Sequence, residues 1–174
     1  DFTRISKPLG MFGARLKTNN GKLPVTILGT AFPKNVNYVE NKGSAQVKSS
    51  LMFAALNTIG KTIIKAKKSR NQTELLFKHL GIPIKIRKKN NFDHIEVNGI
   101  KKIKALNYKI PSDISSSAFF IILTALSKNS KIKIKNVNVN PTRIGVIQIL
   151  KKMGVKIKFK NKKVYNGEKI ADLY

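Results

Sequence analysis

A chain of 174 residues with 41% hydrophobic content has room for one packed domain, or for parts of two, and its composition does not fit wholesale disorder. The absence of cysteine excludes disulfides, thiol nucleophiles and cysteine-based zinc sites, and two histidines without paired spacing, His79 and His94, give no reason to expect a metal. The formal charge of +27 invites a nucleic-acid reading, but 35 basic residues include only five arginines, and the basic runs are not interleaved with stacking aromatics as single-strand binders require. Lys, Ile and Asn share A/T-rich codons, so lysine painted onto solvated strand faces accounts for runs such as "KIKIK". Nucleic acid is therefore not the expected partner.

Taken in chain order, the start "DFTRISKPLG" has no secretory signal, and the lack of an initial methionine suits a segment of a longer protein. "PLGMFGARLKT" (8–18) reads as an apolar helix end, a glycine and an alternating strand. "GSAQVKSSLMFAAL" (43–56) opens a helix on small and polar residues that soon turn apolar, and a polar turn then leads into a short strand by residue 66. "SRNQTELLFKHLG" (69–81) is an amphipathic helix, followed by strands at 82–87 and 91–99. "NYKIPSD" (107–113) is the best boundary, because Pro111 breaks pairing ahead of a Ser-rich helix start. Beyond it, 117–136 repeats the helix–turn–strand order, and "PTRIGVIQILKKMG" (141–154) repeats the amphipathic helix before "VKIKF". The richest apolar run, "AFFIILTAL" (118–126), is far short of the roughly 18 residues a membrane span needs. A cytoplasmic protein is expected.

Gly13, Gly81 and Gly154 each follow a helix end, where a left-handed residue costs least without a Cβ. Their spacings of 68 and 73 residues mark an internal repeat of helix, strand, helix, strand, strand. Arg70 and Arg143 hold the same register in it. The repeat predicts an α/β, layered α+β architecture, with helices packed together and covered by sheets.

One helix start asks for a functional reading. Ser44 can serve as an ordinary N-cap, satisfying an orphan N–H. The same free N–H groups and partial positive charge also suit an anion. The residues alone leave both open.

"SAQVK" (44–48), "RNQTE" (70–74) and "NPTR" (140–143), supported by "RISKPLGMFGARL", "LPVTILG" and "GEKIADL", resemble the 5-enolpyruvylshikimate-3-phosphate synthase family of 3-phosphoshikimate 1-carboxyvinyltransferases. The wording is similar to that of the bacterial class known for glyphosate tolerance. The resemblance covers essentially the whole chain and implies a two-lobed fold of repeated βαβαββ units, here an internal fragment incomplete at both ends. Residues 1–108 would be the last part of one lobe, and 109–174 the first unit of the other. It implies transfer of the enolpyruvyl group of phosphoenolpyruvate to the 5-hydroxyl of shikimate 3-phosphate, without metal or other cofactor. Ser44, Ala45 and Gln46 would bind shikimate 3-phosphate, with Gln46 also near phosphoenolpyruvate, and Arg70 would contact the shikimate phosphate through its permanently charged fork.

No catalytic acid or base of the family maps onto these residues, so the segment alone is expected to be inactive. Gln72 stands where the class has histidine, and glutamine cannot titrate near neutral pH. Lys48 either faces the cleft or ends on the helix surface. Arg143 reads as a cap or salt bridge, Ser115, Ser116 and Ser117 as capping and hinge residues, and His79 and His94 as surface residues. A monomer without membrane contact is expected. The rivals are the cell-wall enolpyruvyl transferase acting on UDP-N-acetylglucosamine, whose helix start is not "SAQVK", and a basic RNA-binding α/β repeat protein.

Overall fold

The computed structural model describes residues 1–100 and 102–174, and divides into two compact units, Asp1–Ala105 and Leu106–Tyr174. In the first, α1 (Thr3–Met11) precedes a hairpin of β1 (Arg15–Asn19) and β2 (Lys22–Leu28). Next come β3 (Asn37–Glu40), α2 (Ala45–Ala55), β4 (Lys61–Lys67), α3 (Gln72–His79), β5 (Ile84–Lys89) and β6 (Phe92–Asn98). That order is one βαβαββ repeat, and α1–β1–β2 has the order of another's αββ end. The four strands make a sheet ordered β3-β4-β6-β5, with β3 parallel to β4 and the remaining pairs antiparallel.

The second unit repeats the plan with α4 (Ile114–Leu126), β7 (Ile134–Asn138), α5 (Gly145–Lys152), β8 (Phe159–Tyr165) and β9 (Glu168–Leu173). Its sheet runs β7-β9-β8, and Ser112 adds a one-residue parallel bridge to Val137 in the place β3 takes beside β4. Pairing thus resumes immediately after Pro111, contrary to the break expected there. Proline removes only its own N–H, while Ser112 donates to the Asn136 carbonyl and accepts from Asn138 N–H. The strand expected directly after Gly154 also begins later, at Phe159, although Lys158 already exchanges both backbone bonds with Tyr174.

Local chemistry accounts for the repeat. Gly13, Gly81 and Gly154 have φ of +102°, +69° and +92°, the left-handed geometry that stops α1, α3 and α5. Each αββ hairpin then turns on an asparagine with positive φ: Asn20 and Asn166, each followed by a left-handed glycine, and Asn90. These are the residues a two-residue hairpin turn favours. Gly99 answers to close packing instead, since a Cβ there would collide with the Thr58 carbonyl.

Burial follows period and position. β4 and β6 alternate, placing Thr62, Ile64 and Ala66 beside Ile95 and Val97 on the inner face. α2 packs on that face and against α1, with Leu51 and Met52 fully buried. Each such side chain contributes about 1.5–3 kcal/mol by leaving water. Phe77 of α3 closes the core edge-on to the Phe53 ring of α2, at 5.2 Å between centroids. In the second unit Ile114, Ile121, Val137, Ile147, Leu150 and Leu173 form a smaller core. No helix among the described residues is long and apolar enough to cross a membrane.

Candidate functional site

The site is built where α2 and α3 begin. β3 ends in Glu40, buried, whose carboxylate accepts from the N–H groups of Lys42 (2.9 Å) and Gly43 (2.8 Å). Gly43, at φ +72°, turns the chain into extended Ser44, the N-cap of α2. Its Oγ accepts from Val47 N–H at 3.3 Å, and its carbonyl from Lys48 N–H at 3.1 Å. Ser44 is therefore an N-cap, and capping leaves the earlier N–H groups of the first turn, those of Ala45 and Gln46, without intrahelical partners. No acidic residue lies in that turn, and Gln46 is exposed.

The second wall is the turn from β4 into α3. Lys68 N–H ties it to Asn91, and a Cβ on Gly43 would lie 3.4 Å from the Lys68 carbonyl, so the loop before α2 runs close beside it. Ser49 and Thr73 share a hydroxyl hydrogen bond of 2.7 Å between the two helices. Arg70 is exposed, and among the described residues its guanidinium has no carboxylate partner. On either side of it, Ser69 Oγ and Gln72 Nε2 are buried with no hydrogen-bond partner among the described residues. Both can donate, and a buried donor left without an acceptor is costly. Sequence reasoning did not single out Ser69 and saw in Gln72 only a lost histidine. The signal was their position flanking Arg70.

Lys48 corrects both alternatives expected for it. It neither faces a cleft nor ends on the helix surface, but is wholly buried, pairing with Glu74 Oε1 at 2.6 Å and donating to the Arg70 carbonyl at 2.7 Å. His94 departs more mildly: it is half-buried, in register between Lys65 and Arg87, whereas His79 is exposed as expected. The basic strands are also less bare than expected, for Lys65 lies over the Phe92 ring, Lys162 over that of Phe159 and Lys160 over that of Tyr174.

The equivalent helix start of the second unit is already filled. Asp113 caps α4, its Oδ2 accepting from Ser116 N–H (2.9 Å) and Oγ (3.1 Å). Arg143 pairs with the other oxygen of Asp113 and donates to Ser115 Oγ at 2.8 Å. Partial burial opposes ionisation of Asp113, but the Ser116 bonds and the Arg143 charge outweigh it and hold the carboxyl below its ordinary value. Ser117 donates to the Asp113 carbonyl. Arg143 thus forms the salt bridge expected, and Ser115, Ser116 and Ser117 are bonded around the Asp113 cap. "NPTR" is a structural turn as well: buried Asn140 accepts from Thr142 N–H and Oγ1 and donates to Glu168.

Elsewhere in the second unit, a cleft of about 1000 Å³ lined by Ile121, Met153, Lys156, Ile157 and Tyr174 contains none of these groups. Among the described residues no cluster of three or more His, Asp or Glu could hold a metal.

Residues 2–171 match the family model for EPSP synthase, 3-phosphoshikimate 1-carboxyvinyltransferase. The chain belongs to the EPSP synthase family. It is 41% identical over 173 residues to the 3-phosphoshikimate 1-carboxyvinyltransferase of Caldicellulosiruptor saccharolyticus, covering 98% of this chain and 40% of that protein. The Legionella pneumophila (strain Corby) protein of the same name is 41% identical over 172 residues, with 98% and 39% covered. Among solved structures, EPSP synthase from Acinetobacter baumannii superposes with a TM-score of 0.78 at 37% identity, over 98% of this chain and 38% of that one. The enolpyruvyl transferase NikO from Streptomyces tendae shares the fold alone, with a TM-score of 0.61 at 12% identity over 98% and 42%. This EPSP synthase family chain therefore spans about 40% of the length of the curated relatives it matches.

Proposed function

We propose that these residues form the shikimate 3-phosphate wall of a 3-phosphoshikimate 1-carboxyvinyltransferase of the shikimate pathway. The observation that carries the reading is an uncompensated cationic helix start: Ser44, Ala45 and Gln46 on α2 beside an Arg70 that has no carboxylate partner among the described residues. A phosphate dianion at this place accepts from the free N–H groups of α2 and gains from its dipole. Arg70 supplies a forked, permanently charged donor, and Ser69 Oγ and Gln72 Nε2 supply the acceptor-seeking groups that the fold leaves unpaired. Gln46 offers amide donors toward phosphoenolpyruvate, the second anion.

The work of this wall is positioning and electrostatics: it holds the phosphorylated ring so that its 5-hydroxyl meets the enolpyruvyl carbon. Proton transfer belongs to groups outside these 174 residues, since none here matches the family's catalytic carboxylates, and the segment alone binds without turning over. We place residues 1–108 in one lobe and 109–174 in the other, in a monomeric cytoplasmic protein. The order and wording of "SAQVK", "RNQTE" and "NPTR" favour the glyphosate-tolerant class, from which Gln72 departs in place of its usual histidine. Relatives about 40% identical carry the shikimate name, which favours this substrate over UDP-N-acetylglucosamine.

Calorimetric titration with shikimate 3-phosphate tests the reading. Arg70→Ala is expected to weaken binding by about 10- to 100-fold, the size of a charged hydrogen bond, with an unchanged unfolding midpoint. Equal affinity in wild type and Arg70→Ala would sink it.

A further inference from the structure

Lys48 is wholly buried. An ammonium leaves water only where partners replace it. One partner is Glu74 Oε1 (2.6 Å), from the first turn of α3; the other is the carbonyl of Arg70 (2.7 Å), the residue that carries the free guanidinium. Lys48 itself lies one turn after Ser44 on α2. A single ammonium thus ties both walls of the site together, and it grips the backbone of the residue on which the anion contact depends.

Resting on the anion-site reading above, we infer that Lys48, held by Glu74, is a positioning residue for Arg70. It fixes the origin of the guanidinium relative to the start of α2, so the arginine meets the phosphate preorganised rather than paying for its ordering on binding. Stability alone does not account for the pair. Buried ion pairs replaced by apolar residues of similar volume are often neutral or stabilising, and Glu74 keeps its second oxygen buried without a hydrogen-bond partner among the described residues. The Ser49–Thr73 bond already holds the two helices side by side. What no apolar pair supplies is a donor on the Arg70 carbonyl.

The experiment is a mutant cycle in the intact protein, read by shikimate 3-phosphate calorimetry and thermal unfolding. Lys48→Met alone strands the Glu74 carboxylate and is expected to lower the unfolding midpoint. Lys48→Met with Glu74→Met removes both charges. That pair is expected to recover the midpoint yet bind about tenfold more weakly, a typical coupling between contacting residues. In an Arg70→Ala background the same pair is expected to change affinity less than twofold. A Lys48→Gln/Glu74→Gln pair, which keeps a donor for the carbonyl, should recover part of the affinity, and it carries the test if the Met pair does not fold. Wild-type affinity in the Met pair, or losses additive with Arg70→Ala, overturns the inference while leaving the anion site standing. Absence of binding to wild type, with Arg70→Ala indifferent, overturns the site itself.

Discussion

Two helix starts at the same place in the repeat have opposite electrostatic fates. At α4 the cap is Asp113, which faces Arg143 and draws Ser115 and Ser116 into one closed set of bonds. At α2 the cap is Ser44, neutral, and the arginine in the matching register, Arg70, keeps its charge for solvent or ligand. The backbone frames are alike: a parallel strand or bridge, a helix, and an arginine two residues before the next helix. One side chain at the cap therefore decides whether the cationic pocket is satisfied from within or left open to an anion. A carboxylate at a helix start stabilises that helix, so its absence at α2 leaves out an interaction that α4 has.

The sharpest way to break the contrast is to give α2 the cap of α4. Ser44→Asp keeps a side-chain acceptor for Val47 N–H, so folding is expected to survive with equal or slightly higher stability. The new carboxylate would pair with Arg70 and repel a phosphate. Shikimate 3-phosphate affinity is expected to fall about a hundredfold or more, the cost of one charged hydrogen bond plus a like charge. Unchanged affinity in a calorimetric titration would mean that α2 is not the anion wall.

How much of this was legible in the residues follows from the range of the forces. Helix stops at Gly81 and Gly154 could be read directly, because a left-handed residue is a local requirement. So could the shared register of Arg70 and Arg143 and the Ser44 cap. The hairpins at Asn20, Asn90 and Asn166 are equally local, but asparagine shares the A/T-rich codons of lysine and isoleucine, which weakens it as a turn signal in this chain. Lys48 lay beyond such reading. Its burial depends on Glu74 and on a carbonyl 22 residues away, brought together only when α2 and α3 pack on one sheet. Ser112 was hidden for a related reason: its partners on β7 lie some 25 residues on in sequence, and the neighbouring proline pointed the other way. Whether Arg70 was neutralised also depended on which acids the fold brings near, and Glu74 turns inward to Lys48 instead.

The reverse exchange should have a smaller effect. Asp113→Ser leaves a capping hydroxyl but frees Arg143, turning the start of α4 into a weak copy of the start of α2. Loss of the part-exposed pair and of the charged cap is expected to cost about 1 kcal/mol, measured by urea unfolding. The variant should also gain millimolar binding of inorganic phosphate, visible as shifts of the Ser115 and Ser116 amides in NMR spectra. If those amides stay silent while the stability loss appears, an open cationic helix start is not by itself enough, and the buried donors of Ser69 and Gln72 make the difference at α2.

Acid should separate the two starts by the smallest margin. The Asp113 carboxyl is held below the ordinary aspartate value of 3.8, so the folded state binds fewer protons than the unfolded chain as pH falls through that region. The stability it contributes is fully present above pH 3.8 and is lost as pH drops through its lower folded value. Its side chain is 40% exposed, so solvent screening holds this contribution under about 1 kcal/mol. Asp172, lowered by the Asn136 N–H and Asn161 amide bonds, acts in the same unit and in the same sense. Ser44 has no titrating proton, so the cap of α2 itself contributes nothing to this limb. Between pH 5 and pH 2.5, amide exchange at α4 should therefore accelerate more in wild type than in Asp113→Ser. Equal acceleration in the two proteins would assign the acid sensitivity of the second unit to Asp172 and remove the cap of α4 from the account.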